Sequence, residues 1–167
     1  NTAGAVKTDG TLWTWGANEW GELGINEQGP GTDTARSSPI QVPGTWQDVR
    51  IAAYGVGLGV KTNGTMWAWG SNIHGSLGQN ERTQRSSPTQ IGSGTDWNKC
   101  SVMNAIPTML GGSLEYRPFM SAIKTDGTLW SWGYNNNKGQ LGLNTVTDAI
   151  SSPTQIPGTD WLVPLVG

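Results

Sequence analysis

The sequence predicts an all-β protein built from β-propeller blades of four antiparallel strands each. One ten-residue motif occurs in three similar copies, as KTDGTLWTWG from Lys7, KTNGTMWAWG from Lys61 and KTDGTLWSWG from Lys124. The 167 residues include 25 Gly and 10 Trp, and no segment shows the period of a long amphipathic helix. A tandem unit of this length is typical of architectures in which each unit packs on its neighbour.

The first element of each copy is a β-hairpin. Its turn is Asp9-Gly10, Asn63-Gly64 or Asp126-Gly127. These dipeptides are the strongest short-range hairpin signal, and they predict a two-residue type I′ turn with positive φ at both central positions. The second strand of the hairpin holds the Trp-x-Trp pair. Because the side-chain period of a strand is two, both tryptophans of a pair lie on one face.

Two further strands complete each copy. The segment Ser-Ser-Pro-x-Gln makes a short strand, whose proline (Pro39, Pro88 or Pro153) restricts it to a sheet edge or to the first position of the strand. Another strand follows the next tryptophan, as in residues 46–53. Four short antiparallel strands joined by glycine-rich turns are the pattern of one propeller blade.

The chain is organised as a single repeat domain of residues 1–167. The copies occupy approximately residues 1–53, 54–102 and 120–167, and an insertion at 103–119 separates the second copy from the third. The junction between the first and second copies is much shorter. The insertion is therefore the most individual segment of the chain.

The three copies also contain variants of two longer motifs, W-G-x-N-x-x-G-x-L-G, which is one residue longer in the third copy, and S-S-P-x-Q-I-P-G-T-x-W. In this order the motifs resemble the repeats of the regulator of chromosome condensation family, and more closely its Trp-rich bacterial and phage members. The resemblance covers nearly the whole chain and implies a β-propeller whose ring typically has seven blades. The family often has Ala-Gly-x-x-His before the Lys strand, whereas this chain has residues 53–58 there in the first junction and the insertion in the second.

Three blades are too few for a closed ring, since propellers close with about four to eight. The apolar faces of the end blades therefore need to be covered by further blades or by another subunit. The chain starts in the strand 2–7, without the strand that should precede it, and ends with 161–166, which corresponds to that strand. Two arrangements stay open. The segment is either part of a longer or processed chain, or one of two complementing subunits, as in a six-bladed homodimer. Pro164 interrupts the last strand and therefore favours the first arrangement.

Composition excludes two classes of partner. The net charge is −2, the pI is near 5.2 and the basic residues are scattered, whereas nucleic-acid binding needs a basic patch. No apolar run approaches the length that spans a bilayer. We therefore expect neither nucleic-acid binding nor membrane insertion.

The sequence offers no residues in a catalytic or metal-binding pattern. His74 is the only histidine and Cys100 the only cysteine, whereas zinc sites and catalytic triads need several such residues. We interpret His74 as an exposed turn residue and Cys100 as a small buried hydrophobe. Asn18, Asn72 and Asn135 recur at one position and are interpreted as turn-stabilising side chains. We expect no catalytic residue, no metal site and no cofactor.

Residues that differ between the copies are the candidate binding residues, because the shared ones are committed to packing. Trp20 is predicted either to be exposed as a recognition residue or to pack against the next blade. The insertion, in which aromatic residues accompany arginine, predicts either an interface or a loop that caps its own blade. The candidates lie in the turns that follow Trp-Gly and in the insertion: Trp20, His74, Tyr134, Lys138, Tyr116, Arg117 and Phe119.

These observations favour a non-enzymatic binding or structural module. Its partner would be a protein or a glycan, or further copies of the chain. The resemblance to phage-type repeats implies a virion-surface or tail-associated component or a secreted bacterial adhesin, and hence an extracellular or virion-surface location. The alternative is a guanine-nucleotide exchange factor for a small GTPase, which the eukaryotic members of the family suggest.

Overall fold

The computed structural model describes residues 2–29, 33–52, 55–104, 108–110, 113–115, 117–135 and 139–162, and these contain strands, turns and irregular segments but no helix. The strands are β1 (Thr2–Val6), β2 (Leu12–Gly16), β3 (Arg36–Val42), β4 (Trp46–Ala52), β5 (Val56–Lys61), β6 (Met66–Gly70), β7 (Arg85–Gln90), β8 (Trp97–Asn104), β9 (Thr108–Leu110), β10 (Ser113–Glu115), β11 (Pro118–Lys124), β12 (Leu129–Tyr134) and β13 (Ala149–Ile156).

Eleven of the thirteen described strands form three antiparallel sheets, which confirms the prediction of propeller blades. The first blade has the order β1-β2-β3, the second β4-β5-β6-β7, and the third β8-β11-β12-β13. In the second blade β4 pairs with β5, although β4 lies in the first sequence copy. Each four-stranded blade therefore takes its first strand from the segment before the Lys-containing strand.

The hairpin turns differ from the predicted type. Gly10, Gly64 and Gly127 have φ between +77° and +83°, but the preceding Asp or Asn residues do not have positive φ. In the first hairpin the amide N–H of Gly10 donates to the Lys7 carbonyl, and that of Lys7 to the Thr11 carbonyl. This is a three-residue loop, a type I turn followed by a left-handed glycine. The type I′ prediction is wrong, although the hairpins themselves are present.

A side-chain network explains why the residue before the glycine keeps a negative φ. In the third hairpin Asp126 Oδ1 accepts hydrogen bonds from the backbone N–H and the hydroxyl of Thr128, at 3.0 and 2.7 Å. The Thr128 hydroxyl in turn accepts from Trp130 Nε1 at 2.9 Å. The same chain of bonds links Asn63, Thr65 and Trp67 in the second hairpin. Turn and tryptophan are therefore fixed together.

This network predicts a measurable pH dependence of stability. The hydrogen bonds from Thr11 and Thr128 lower the pKa of the Asp9 and Asp126 carboxyl groups in the folded state. Their contribution to stability is thus present above the pKa of the unfolded chain and is lost as the pH falls through the lower folded pKa. We expect the double variant D9N/D126N to have a smaller difference in Tm between pH 7 and pH 3 than the wild type. The second hairpin, which already has Asn63, shows that an amide is accommodated; an unchanged difference would contradict the assignment.

The proline-containing strands lie where the sequence analysis places them. Pro39, Pro88 and Pro153 belong to β3, β7 and β13, and each of these strands is at the edge of its sheet. An edge position needs no second partner for the missing N–H. The opposite edge of each four-stranded blade, β4 or β8, packs against the neighbouring blade.

The core lies between the blades and is built around tryptophan. Trp69 and Trp132, the second tryptophans of the Trp-x-Trp pairs in β6 and β12, are 0% exposed. Trp69 meets Trp46 edge to face, with ring centroids 5.5 Å apart. Cys100 is buried among aliphatic residues as predicted, and burial, together with the nearby Asp48, raises the pKa of its thiol.

The insertion extends two strands of the third blade. β8 and β11 stay paired as far as Asn104 and Pro118, and β9 and β10 form a short antiparallel hairpin. Phe119 lies in β11, opposite Met103 on one side and Gly133 on the other. The end of the insertion is therefore part of the blade.

Candidate functional site

The segments that follow the Trp-Gly dipeptides form one edge of the structure, which we call the rim turns: residues 16–24 after β2, 70–78 after β6 and 133–142 after β12, the last described at 133–135 and 139–142. Each rim turn closes around a fully buried asparagine. Asn72 Oδ1 accepts from the Leu77 N–H at 2.9 Å, and its Nδ2 donates to the Thr83 carbonyl at 3.0 Å. Asn18 and Asn135 make equivalent bonds, which confirms their turn-stabilising role.

The first two rim turns are also bound to the next blade. The indole Nε1 of Trp69 donates to the Glu22 carbonyl at 2.9 Å, and Nε1 of Trp132 donates to the Ser76 carbonyl at the same distance. Further along, the Asn26 N–H donates to the Ser86 carbonyl and that of Asn80 to the Ser151 carbonyl. The first two rim turns are therefore rigid, because both their own blade and its neighbour hold them.

Trp20 combines the two roles that the sequence left open. Its side chain is 40% exposed, and its backbone N–H donates to Glu22 Oε2 at 2.7 Å. The same side chain packs against the next blade at Gly55, where a Cβ atom would lie 2.9 Å from the indole Cδ1. One part of the indole ring therefore packs against Gly55, and the rest of the ring is exposed to solvent.

His74 occupies the corresponding position of the second rim turn, and it is buried. It is only 8% exposed, so the interpretation as an exposed turn residue is wrong. The cause lies in the third blade, because the imidazole packs edge to face on the Tyr134 ring with centroids 5.0 Å apart. The exposed residue of this turn is its neighbour Ile73, at 52%.

Tyr134 and Arg117 complete the cluster around His74. Tyr134 is 5% exposed, and its hydroxyl accepts a hydrogen bond of 2.5 Å from Arg117 Nη1. The guanidinium also lies over the Tyr134 ring, 4.8 Å from its centroid. Sequence reasoning named all three residues separately, and the structure brings them together at one blade junction. Phe119 is half-buried in β11 nearby, whereas Tyr116 and Lys138 lie outside the described residues.

The described parts of the chain contain no group of three or more His, Cys, Asp or Glu residues placed to hold a metal ion. Among the same residues, no helix has the length and apolarity needed to cross a bilayer. The polar loop at 27–35, another segment that differs between copies, is described on both sides of 30–32, and there Glu27 pairs with Arg36.

The profile of the Regulator of chromosome condensation (RCC1) repeat matches residues 9–57, 63–102 and 126–162, which is most of the chain. The chain belongs to the RCC1 repeat family. Each matched segment contains one Trp-x-Trp pair and one rim turn. The resemblance drawn from the motifs is thus confirmed, and the three blades are RCC1 repeats.

Relatives and solved structures agree with this assignment. The chain is 30% identical over 156 residues to the RCC1 domain-containing protein RUG3, mitochondrial, of Arabidopsis thaliana, covering 91% of this chain and 31% of the relative. It is 29% identical over 154 residues to the human X-linked retinitis pigmentosa GTPase regulator, covering 90% and 13%. The crystal structure of Prp20p from Saccharomyces cerevisiae is similar with a TM-score of 0.68 at 19% identity, over 95% of this chain and 37% of that one. The chain spans less than two fifths of each, and the structural likeness shows the shared fold.

Two contacts of the RCC1 repeats were not foreseen from the sequence. Gly55 provides the platform for Trp20, and Tyr134 with Arg117 encloses His74. The available signal was that both junction segments, residues 53–58 with Gly55 and the insertion at 103–119 with Arg117, depart from the repeat pattern. Their pairing depends on how neighbouring blades stack, which no motif within one repeat encodes.

Proposed function

We propose that this chain is a non-enzymatic protein-binding module whose contact surface lies on the rim turns. The observation that supports this most directly is the exposure of Trp20 and Ile73, at 40% and 52%, in turns that the buried asparagines hold rigid. Large apolar side chains on a rigid surface bind at a low entropic cost, since little has to be ordered on contact. Tryptophan is also strongly enriched among residues that dominate binding energy.

The charges around these two side chains suit a protein surface. Glu19 is exposed beside Trp20 on the rim, and the half-buried Arg117 lies at the next junction. An apolar centre with charged residues around it is the usual anatomy of a protein interface. The yeast protein Prp20p, whose fold this chain shares, has binding properties to Gsp1p and histones. Protein binding by a propeller of this fold supports the proposal by analogy.

Two substitutions on the rim and one matched control test the contact surface. Trp20→Ser and Ile73→Ser remove exposed apolar groups from the rim turns. Val6→Ser removes an apolar group of similar exposure (37%) at the end of β1 that is farther from the rim turns. Tagged variants are purified from the native cells under mild conditions, and the bound proteins are quantified by mass spectrometry. We expect the two rim variants to lose bound protein by about tenfold or more, which corresponds to roughly 1.4 kcal/mol, and the Val6 variant to keep it. Equal recovery from all three variants would exclude the rim as the contact surface.

The same preparations show whether the partner is another protein, a further copy of the chain or a glycan. Native mass spectrometry distinguishes association with further copies from binding of another protein, and added oligosaccharides would displace the bound material if the partner is a glycan. The similar proteins named above come from a plant, human and yeast. A virion-surface or adhesin setting, with an extracellular location, stays a prediction from the resemblance.

Exchange activity on a small GTPase is the second candidate, and the name of the human GTPase regulator favours it. It is tested by adding the chain to small GTPases loaded with fluorescent GDP. We expect no acceleration of nucleotide release. Acceleration that the Trp20 and Ile73 substitutions abolish would assign the rim to this activity instead.

A further inference from the structure

Each blade junction has a groove beside the outermost strands. The first, which we call the Lys61 groove, has a volume of about 450 Å³ and lies between β3 of the first blade and β5–β7 of the second. Aliphatic side chains line much of it, including Ile25, Ile40 and Pro88. The second groove occupies the equivalent place at the next junction, has about 390 Å³ and contains Lys124. Both volumes are in the range of ligand sites.

The two lysines have different surroundings. In the second groove, Lys124 Nζ pairs with Asp96 Oδ2 at 3.2 Å. In the first, Lys61 Nζ lies 3.7 Å from the ring centroid of Trp67 and 5.0 Å from that of Trp46, and no described carboxylate lies within ion-pair distance of it. The difference follows from sequence, because Asp96 precedes Trp97 where Thr45 precedes Trp46.

A second donor accompanies Lys61. Trp46 is 2% exposed, and its indole Nε1 has no acceptor among the described residues. Lys61 Nζ and Trp46 Nε1 both lie within 3.3 Å of the point that a Cβ atom on Gly44 would occupy. Burial also lowers the pKa of the Lys61 amine, as expected of a cation without a countercharge. A buried donor without an acceptor is unusual in a folded protein, and here the Trp46 N–H lies beside a half-buried cation that no described carboxylate pairs with.

The lining of the groove distinguishes between an acidic sugar and an acidic peptide as the ligand. A sugar would need an open aromatic face for stacking, but the ammonium of Lys61 already covers the Trp67 ring. The aliphatic walls instead suit the apolar side chain of a peptide. A peptide carboxylate would supply the countercharge that Asp96 supplies in the second groove.

We propose that the Lys61 groove binds an acidic peptide segment of a partner protein. A Glu or Asp carboxylate of the segment pairs with the Lys61 ammonium, and a neighbouring apolar side chain packs on Ile25, Ile40 and Pro88. Trp46 Nε1 is buried and lies close to the same point beside Gly44 as Lys61 Nζ, so a carboxylate paired with the ammonium reaches the indole N–H after a small shift of the lysine side chain. The groove borders the first rim turn at Gly24 but includes neither Trp20 nor Ile73, so the groove can be correct or wrong independently of the rim function.

Blocked pentapeptides of the form Gly-X-Glu-X-Gly, with X as Leu, Ile, Phe or Pro, serve as probes. Binding is measured by titration of the ¹⁵N-labelled chain, in which a W46F variant assigns the Trp46 indole resonance. We expect at least one peptide to bind and to shift that resonance. Replacing Glu by Gln in the peptide is expected to weaken binding by about tenfold, because a charge-assisted bond is lost.

Variants of the protein give the decisive comparison. Lys61→Gln is expected to weaken binding by about tenfold and Lys61→Arg to retain most of it, since the charge is kept. Lys124→Gln is the matched control and should leave binding unchanged, as should Trp20→Ser on the rim. The proposal is overturned if no peptide binds at about 1 mM, the weak end of specific affinities. Equal binding by Lys61→Gln, or tighter binding of an oligouronate than of any peptide, would overturn it as well.

Discussion

Replacing Trp69 with alanine is expected to lower the free energy of unfolding by about 3–5 kcal/mol, the range for truncating a large buried aromatic residue. Trp69 is 0% exposed, packs against Gly24 and Gly57, and meets Trp46 edge to face. The substitution would open a cavity between the first and second blades and leave the Glu22 carbonyl without its donor. Urea denaturation followed by tryptophan fluorescence measures the change.

Two further variants separate the packing from the hydrogen bond. Trp69→Phe keeps an aromatic ring in the core but loses the Nε1 donor and part of the indole volume, so a loss of about 1–3 kcal/mol, less than for Trp69→Ala, is expected. Trp20→Ala removes a tryptophan that is 40% exposed and should cost far less. If Trp69→Ala and Trp20→Ala destabilise the protein equally, Trp69 does not hold the blades together as described.

Replacing Gly64 with alanine is expected to have the second largest effect. Gly64 has a φ of +77°, and a Cβ atom there would lie 2.0 Å from the Thr95 carbonyl oxygen. Left-handed strain costs an alanine about 1–2 kcal/mol, and an overlap with backbone that has to shift adds about 1–3 kcal/mol. Differential scanning calorimetry should therefore show a large fall in Tm.

The third hairpin supplies a control with the same backbone conformation. Gly127 has a φ of +78° at the equivalent turn position, but a Cβ atom there meets its nearest neighbour, the Asp160 amide nitrogen, at 3.0 Å. Gly127→Ala should thus suffer the strain with little of the overlap, and its Tm should fall clearly less. Equal losses from the two variants would mean that strain alone sets the cost and that the Thr95 contact is unimportant.

Features encoded within one repeat were predictable from the sequence. The hairpins, the edge strands with Pro39, Pro88 and Pro153, and the turn-closing asparagines all follow from local chemistry repeated three times. The turn type was predicted wrongly because the Asx–Thr–Trp hydrogen bonds compete with the preference of Asp-Gly and Asn-Gly for type I′. That competing network is also local, since Thr follows two residues after each Asp or Asn, and the repeat of that spacing was the available signal.

Features that depend on two blades were not predictable in the same way. The burial of His74 results from Tyr134 and Arg117 in the next blade, and the partial exposure of Trp20 results from Gly55 there. Lys61 and Lys124 occupy the same position of the repeated motif. Their surroundings differ because Asp96, which is distant in sequence, pairs with Lys124. Stacking geometry decides these contacts, and a comparison of repeats in sequence alone does not contain it.

The hydrogen bonds of Trp69 and Trp132 have a consequence for how such a chain can evolve. Their acceptors are main-chain carbonyls, at Glu22 in one rim turn and Ser76 in the other, so adhesion between blades does not depend on which side chain the turn carries. A duplicated blade could join its neighbour at once, and its turn could then accumulate substitutions without loosening the joint. Diversification of the outward-facing residues and preservation of the scaffold are thereby uncoupled, as they are in modular recognition proteins whose units can be reordered.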